Sequence, residues 1–159
     1  MAAARPAAAG GAPAGDGPSA GTGATARSRA RRRAVEILFE AHARGVPPRQ
    51  VLAERGADPH SPLPAYTPSL VEGVQAHAER IDEILDTYAK GWPVARMPAV
   101  DHAILQVAVF ELLWGADTPD GVVLAEAVAL ADELSTESSA GFVNGLLGAI
   151  ARLKPSLAR

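Results

Sequence analysis

An all-α fold is what this sequence predicts, and three observations carry that reading. Apolar residues recur at helical spacing along most of the chain beyond residue 33, and no segment alternates with period two for long enough to make a strand. Aromatics are scarce, with three Phe, two Tyr and two Trp, so the core must rest on Leu, Val, Ile and the strong helix former Ala. Gly and Pro then divide the chain into six or seven helices joined by short loops.

Residues 1–26 contain twenty Ala, Gly or Pro and no apolar side chain large enough to offset the entropy of ordering, which predicts a disordered tail. The first helix is expected from Ser28 to Arg44, with Val35, Leu38 and His42 on one face and Ile37, Phe39 and Ala41 widening it. Gly45 and Pro47-Pro48 stop it. A short helix runs from Pro48 to Arg55, with Gly56 at its end, and residues 57–64 form a Pro-rich loop. A long helix is predicted over Pro68–Lys90 from the spacing of Leu70, Val74, His77, Ile81, Ile84, Leu85 and Tyr88; Gly91-Trp92-Pro93 ends it.

The next helix spans Pro98–Trp114. Between Ala103 and Leu113 only Gln106 and Glu111 are polar, and a helix apolar nearly all round belongs at the centre of a fold. Thr118-Pro119-Asp120 opens a helix reaching Leu134. The Ser/Thr/Glu cluster 135–139 caps a last helix striped by Phe142, Leu146, Ile150 and Leu153. The organisation is one helical domain over residues 27–154, between the tail 1–26 and a short C-terminal tail, 155–159.

Several function classes find no support. With no cysteine, disulfides and thiolate metal sites are excluded, which fits a cytoplasmic location. No apolar run approaches the roughly 18 residues that span a bilayer, and the N-terminus lacks the apolar block of a signal peptide. His42, His60, His77 and His102 lack the i, i+3 or i, i+4 pairing of a helical metal motif. Asp82-Glu83 and Asp132-Glu133 are adjacent in sequence and so point to different sides of a helix, which does not preorganise an acid/base pair. Gly17-Pro18-Ser19-Ala20-Gly21 matches a hydrolase nucleophile pattern but lacks the strand and helix that pattern needs. The expectation is no catalytic residue, no metal and no cofactor.

Charge points elsewhere. The net charge of −3 hides an asymmetry: residues 1–33 hold six Arg against one Asp, and the remainder holds nine basic against seventeen acidic side chains. Arg27, Arg29, Arg31, Arg32 and Arg33 place five guanidiniums in seven residues. Successive helical positions lie about 100° apart, so these side chains surround the axis and are expected to stay out of the core. Planar guanidiniums suit bidentate phosphate contact and stacking on bases, so nucleic acid is the predicted ligand. The alternative is a homo-oligomeric interaction protein with a solvating arginine arm.

Three blocks resemble the NusB family of transcription antitermination proteins. They are Arg31–Phe39, similar to the family's basic first helix; Val100–Leu113, similar to its central helix with a Y/F-E-L ending; and Glu126-Ala127-Val128 followed by Phe142-Val143-Asn144-Gly145-Leu146-Leu147. Order and spacing agree over about residues 27–153. The resemblance implies two small packed helical bundles, no catalysis, and boxA RNA as ligand. It also implies NusE, a ribosomal small-subunit protein, as partner, and an antitermination complex that helps RNA polymerase resist termination on ribosomal RNA operons. A homodimer is compatible with it.

Matched positions suggest an RNA face built from the arginine helix, Phe39, Asp101 and Phe142, with Gln106 standing where relatives often have Arg. Phe39 replaces a frequent Tyr. Phe142 opens the last helix's apolar stripe, so a core role competes with RNA contact. Asn144 is read as capping or bridging helices. For Asp101, complementing its helix's N-terminal dipole is the competing role.

Overall fold

The computed structural model describes residues 16–115 and 117–157, with side chains from residue 26 onward. Among these, every regular element is helical: α1 (Asp16–Arg44), α2 (Pro48–Gly56), α3 (Tyr66–Ala76), α4 (Ala78–Tyr88), a 3₁₀ turn (Val94–Arg96), α5 (Ala99–Trp114), α6 (Asp120–Leu134), α7 (Ser139–Arg152) and α8 (Lys154–Leu157). The described residues hold eight α-helices, where the sequence predicted six or seven.

Helix α5 lies at the centre, as its nearly continuous apolar surface requires. It packs against α1 and α3 on one side and against α4, α6, α7 and α8 on the other. Ala103, Ile104, Leu105, Val107, Ala108, Val109, Leu112 and Leu113 are all buried. One bundle joins α1, α2 and α3 to α5; the other joins α4, α6 and α7 to it. Helix α1 ends where Gly45 takes a φ of +69°, with Val46 N–H bonding Ala41 O (3.0 Å) and Gly45 N–H bonding His42 O (3.2 Å). That paired closure satisfies carbonyls the helix would otherwise leave open.

Three boundaries depart from the sequence reading. Helix α1 starts at Asp16, well before Ser28, and so runs through the second half of the expected tail; residues 1–15 lie outside the described residues. Extending an anchored helix through Ala-rich sequence avoids the cost of a new nucleus. The Gly17–Gly21 pattern therefore sits inside a helix, with no strand before it among the described residues.

The predicted helix Pro68–Lys90 is broken at His77, whose φ of −116° and ψ of 19° are non-helical. Its two halves bury different faces: Leu70, Val71 and Val74 in one bundle, Ile81, Ile84 and Leu85 in the other. The break lets each face meet its own partner, and the His77 ring stacks on Trp114 at 3.9 Å. Ser138 at the start of α7 makes no side-chain capping bond, so the expected role of the serine cluster is not the observed one.

The contact between α3 and α5 is close at Gly73. A Cβ there would lie 2.2 Å from Phe110 Cζ, and that ring is held beside His77 and Trp114. Gly73→Ala should therefore lower stability by about 1–3 kcal/mol through overpacking. Urea denaturation checks it; an unchanged midpoint would mean the ring yields freely.

Candidate nucleic-acid interface

The five arginines of α1 surround its axis as expected, but they do not share one environment. Arg31 is buried, with 4% of its surface exposed. Its Nε donates to Glu111 Oε1 (2.8 Å), one Nη to Glu111 Oε2 (3.0 Å) and the other Nη to Glu126 Oε1 (3.1 Å). The expectation that the arginine turn stays wholly outside the core is therefore overturned. The reason is Glu111, a buried carboxylate on the otherwise apolar α5 that a buried cation must balance. Burial works against the Arg31 charge, but Glu111 and then Glu126 outweigh it and raise its pKa further. Tyr66 joins the network by donating to Glu111 Oε2 (2.8 Å), and its pKa is pushed up to about 12 by burial and by that bond.

The other four guanidiniums remain accessible to differing degrees. Arg29 is exposed, and Arg27 lies over the Tyr66 ring at 3.9 Å in a cation–π contact. Neither meets a carboxylate among the described residues. Arg32 pairs with Glu133 (2.6 Å) and Glu36 (3.4 Å), and its charge is favoured first by the Glu133 bond. Arg33 reaches Glu36 (3.5 Å) and Ser61 (3.4 Å). Surface pairs of this kind contribute about 0–1 kcal/mol, so a phosphate can displace them. The arm is anchored from beneath: Ala30 and Ala34 are fully buried, and Thr67 on α3 donates to Ala30 O (3.0 Å).

Phe39 presents 43% of its surface on the same helix and is available for stacking. One residue away, Leu38 lines a groove with His42, Val74, Gln75, His102 and Gln106. Gln106 is half-buried at that groove.

Asp101 is fully buried. Its carboxylate accepts from Ser135 and from Ser139 (2.8 Å), joining the start of α5 to the α6–α7 turn. An RNA contact from Asp101 is thereby corrected: its oxygens point inward and accept from the Ser135 and Ser139 hydroxyls.

Phe142 is half-buried and meets Trp92 edge to face, with centroids 4.6 Å apart. Asn144 is exposed and makes no side-chain hydrogen bond among the described residues, so it neither caps nor bridges helices there. His102 Nε2 lies 2.8 Å from Asp82 Oδ1. No group of three His, Asp or Glu among the described residues could hold a metal, and no helix there is long and apolar enough to cross a membrane.

Residues 28–152, nearly all of the described chain, match the profile of the NusB family. The chain belongs to the NusB family. It is 54% identical over 131 residues to the transcription antitermination protein NusB of Thermobifida fusca, covering 82% of this chain and 92% of that one. The corresponding protein of Beutenbergia cavernae is also 54% identical, covering 83% and 93%. Among solved structures, NusB of T. maritima superposes with a TM-score of 0.70 at 30% identity, covering 79% of this chain and 90% of that one. The NusB of a complex described as antitermination factors NusB and NusE with dsRNA gives a TM-score of 0.68 at 27% identity, covering 81% and 98%. Family membership makes this a transcription antitermination factor and not an enzyme.

For a NusB chain, sequence reasoning missed the network around Arg31 of the arginine helix: Glu111, Tyr66 and Glu126. A signal existed for Glu111, because a glutamate on an apolar helix beside an arginine cluster calls for a buried network. Trp92, which meets Phe142, was read only as part of a helix stop.

Proposed function

We propose that this protein binds boxA RNA together with NusE in the cytoplasm, within an antitermination complex that helps RNA polymerase resist termination on ribosomal RNA operons. The observation that carries the reading is the arginine arm itself. Arg27 and Arg29 meet no carboxylate among the described residues, Arg32 and Arg33 hold only surface pairs, and exposed Phe39 lies further along the same helix. Guanidiniums for phosphates and a ring for a base are what single-stranded RNA requires. A solved complex of NusB and NusE with dsRNA supports RNA as the class of ligand and NusE as the partner. The body beyond the arm is acidic, which suits a basic ribosomal protein more than a second phosphate track.

Two measurements test this. Each phosphate contact on single-stranded RNA contributes about 0.7 to the slope of log affinity against log salt, so Arg27→Ala with Arg29→Ala should flatten the slope by up to about 1.4. An unchanged slope would remove the arm from the interface. RNA titrations with and without saturating NusE should show tighter binding with it, and NusE must bind more tightly by the same factor when RNA is present. No coupling in either direction, together with self-association, would favour a homodimer instead.

A further inference from the structure

We infer that Tyr66 is a positioning residue of the RNA interface, its ring holding the Arg27 guanidinium in place while leaving that group's charge and N–H groups free for a phosphate. The inference rests on the reading of the arginine arm as the RNA contact, and adds how one of its arginines is held ready.

Tyr66 is fixed before any ligand arrives. It opens α3, and its hydroxyl donates to Glu111 Oε2 (2.8 Å), on a side chain that is fully buried. With its pKa pushed up to about 12, the phenol stays protonated and this bond persists across the physiological range. The next residue, Thr67, is also fully buried; its hydroxyl donates to Ala30 O (3.0 Å) and its N–H to Pro64 O (3.0 Å). The first turn of α3 is thereby fastened to α1 one turn beyond Arg27. Arg27 and Arg31 are four residues apart, on one face of α1, and both stand over the Tyr66 ring, with Cζ atoms 3.9 and 6.0 Å from its centroid. Arg31 is held by Glu111 and Glu126, so the ring is the partner of Arg27 in particular.

The way Arg27 is held sets it apart from its neighbours. Arg32 and Arg33 are ordered by carboxylates, which a phosphate must displace. A ring face attracts a guanidinium through its quadrupole, without neutralising its charge or using its N–H groups. Arg27 borders two open grooves, one with Arg29, Pro64 and Ala65, the other with Thr118, Pro119 and Val122, so a phosphate can reach it from solvent. Asp117 lines the second groove but forms no ion pair with Arg27 among the described residues. Ordering a long side chain costs free energy when a complex forms, and the stack has already ordered this one in the free protein.

The test measures the affinity of the full chain for boxA RNA in a double-mutant cycle of Tyr66→Leu with Arg27→Ala, with Arg29→Ala as the comparison. Tyr66→Leu should weaken binding about 2- to 5-fold, and Tyr66→Phe, which keeps the ring, should restore most of that affinity. In the Arg27→Ala chain, Tyr66→Leu should cause little further loss, whereas with Arg29→Ala the two losses should multiply. Circular dichroism under the binding conditions checks that each variant is folded. Because Tyr66→Leu also removes the bond to Glu111, a second measurement leaves Tyr66 unchanged. In the RNA-free chain the Arg27 Nε–Hε resonance, identified by its loss in Arg27→Ala, should be shifted upfield by the ring and show restricted motion. A mobile Arg27 side chain with an unshifted resonance overturns the inference. So does full-affinity binding by folded Tyr66→Leu. An equal loss from Tyr66→Leu with and without Arg27 overturns it too, because the ring would then meet RNA itself or support the arm as a whole. Unchanged affinity and salt slope in Arg27→Ala with Arg29→Ala is the separate failure of the arm as the RNA contact.

Discussion

Glu111→Ala should cost about 3–5 kcal/mol of folding stability, because it leaves the buried Arg31 guanidinium without its principal partner. Glu111 is 1% exposed and Arg31 4%, so water cannot take over the lost bonds. The Tyr66 hydroxyl loses its acceptor in the same step, and Glu126, partly exposed and shared with Ser28, is the carboxylate still bonded to Arg31 among the described residues. Arg31→Ala should be comparably damaging, since it strands a carboxylate instead. The informative comparison is Arg31→Met, Glu111→Leu and Tyr66→Phe combined. Replacing a buried ionic group as a unit by apolar side chains of similar size is often neutral, so most of the stability should return. Urea denaturation of the single and combined variants measures this. RNA titration of the combined variant then separates the two roles open to Arg31. Retained RNA affinity makes Arg31 a structural member of the arm; a salt slope reduced by a full contact would return it to the interface.

The legible parts of this sequence were those where local pattern and tertiary role agree. Helix α5 was placed at the centre because nothing on its surface but Gln106 and Glu111 resists burial over that stretch, and the apolar stripes of α1 and α7 were readable for the same reason. The break at His77 was not legible, since Leu70, Val74, Ile81 and Ile84 keep helical phase across it. Only the two bundles' different directions of burial require the chain to bend there. The site was harder. Five arginines in seven residues signal anion binding by composition, but composition does not reveal which of them faces α5. Glu111 was the hidden clue: a carboxylate on an apolar helix must find a cation. Phe39 is exposed where the resemblance expected a contact, while Asp101 was drawn to the same face by its position and proves to be buried.

Asp101→Ala decides between those two assignments of Asp101, and the expected result is a large loss of stability. The carboxylate receives two hydroxyl hydrogen bonds, from Ser135 and Ser139, at a fully buried position. Hydrogen bonds to charged groups contribute about 1.5–3 kcal/mol each. The hydroxyls can partly re-pair, since Ser139 Oγ lies 3.0 Å from Ser135 Oγ and 2.9 Å from Thr136 Oγ1. The net loss should therefore be about 3 kcal/mol, less than two full charged bonds. Asp101→Asn keeps a carbonyl oxygen for one serine and offers an amide to the other's lone pair, so it should retain most of the stability. RNA affinity of Asp101→Asn, measured where the protein is fully folded, should match that of the unchanged chain. A contact residue would behave in the opposite way, with Asp101→Ala leaving the denaturation midpoint in place and RNA binding reduced. Because the serine clamp also sets the first turn of α7, Asp101→Ala should loosen the Trp92–Phe142 pair. In a Trp114→Phe background, which leaves Trp92 as the one indole, fluorescence in the absence of RNA would register that as a shift that Asp101→Asn does not produce.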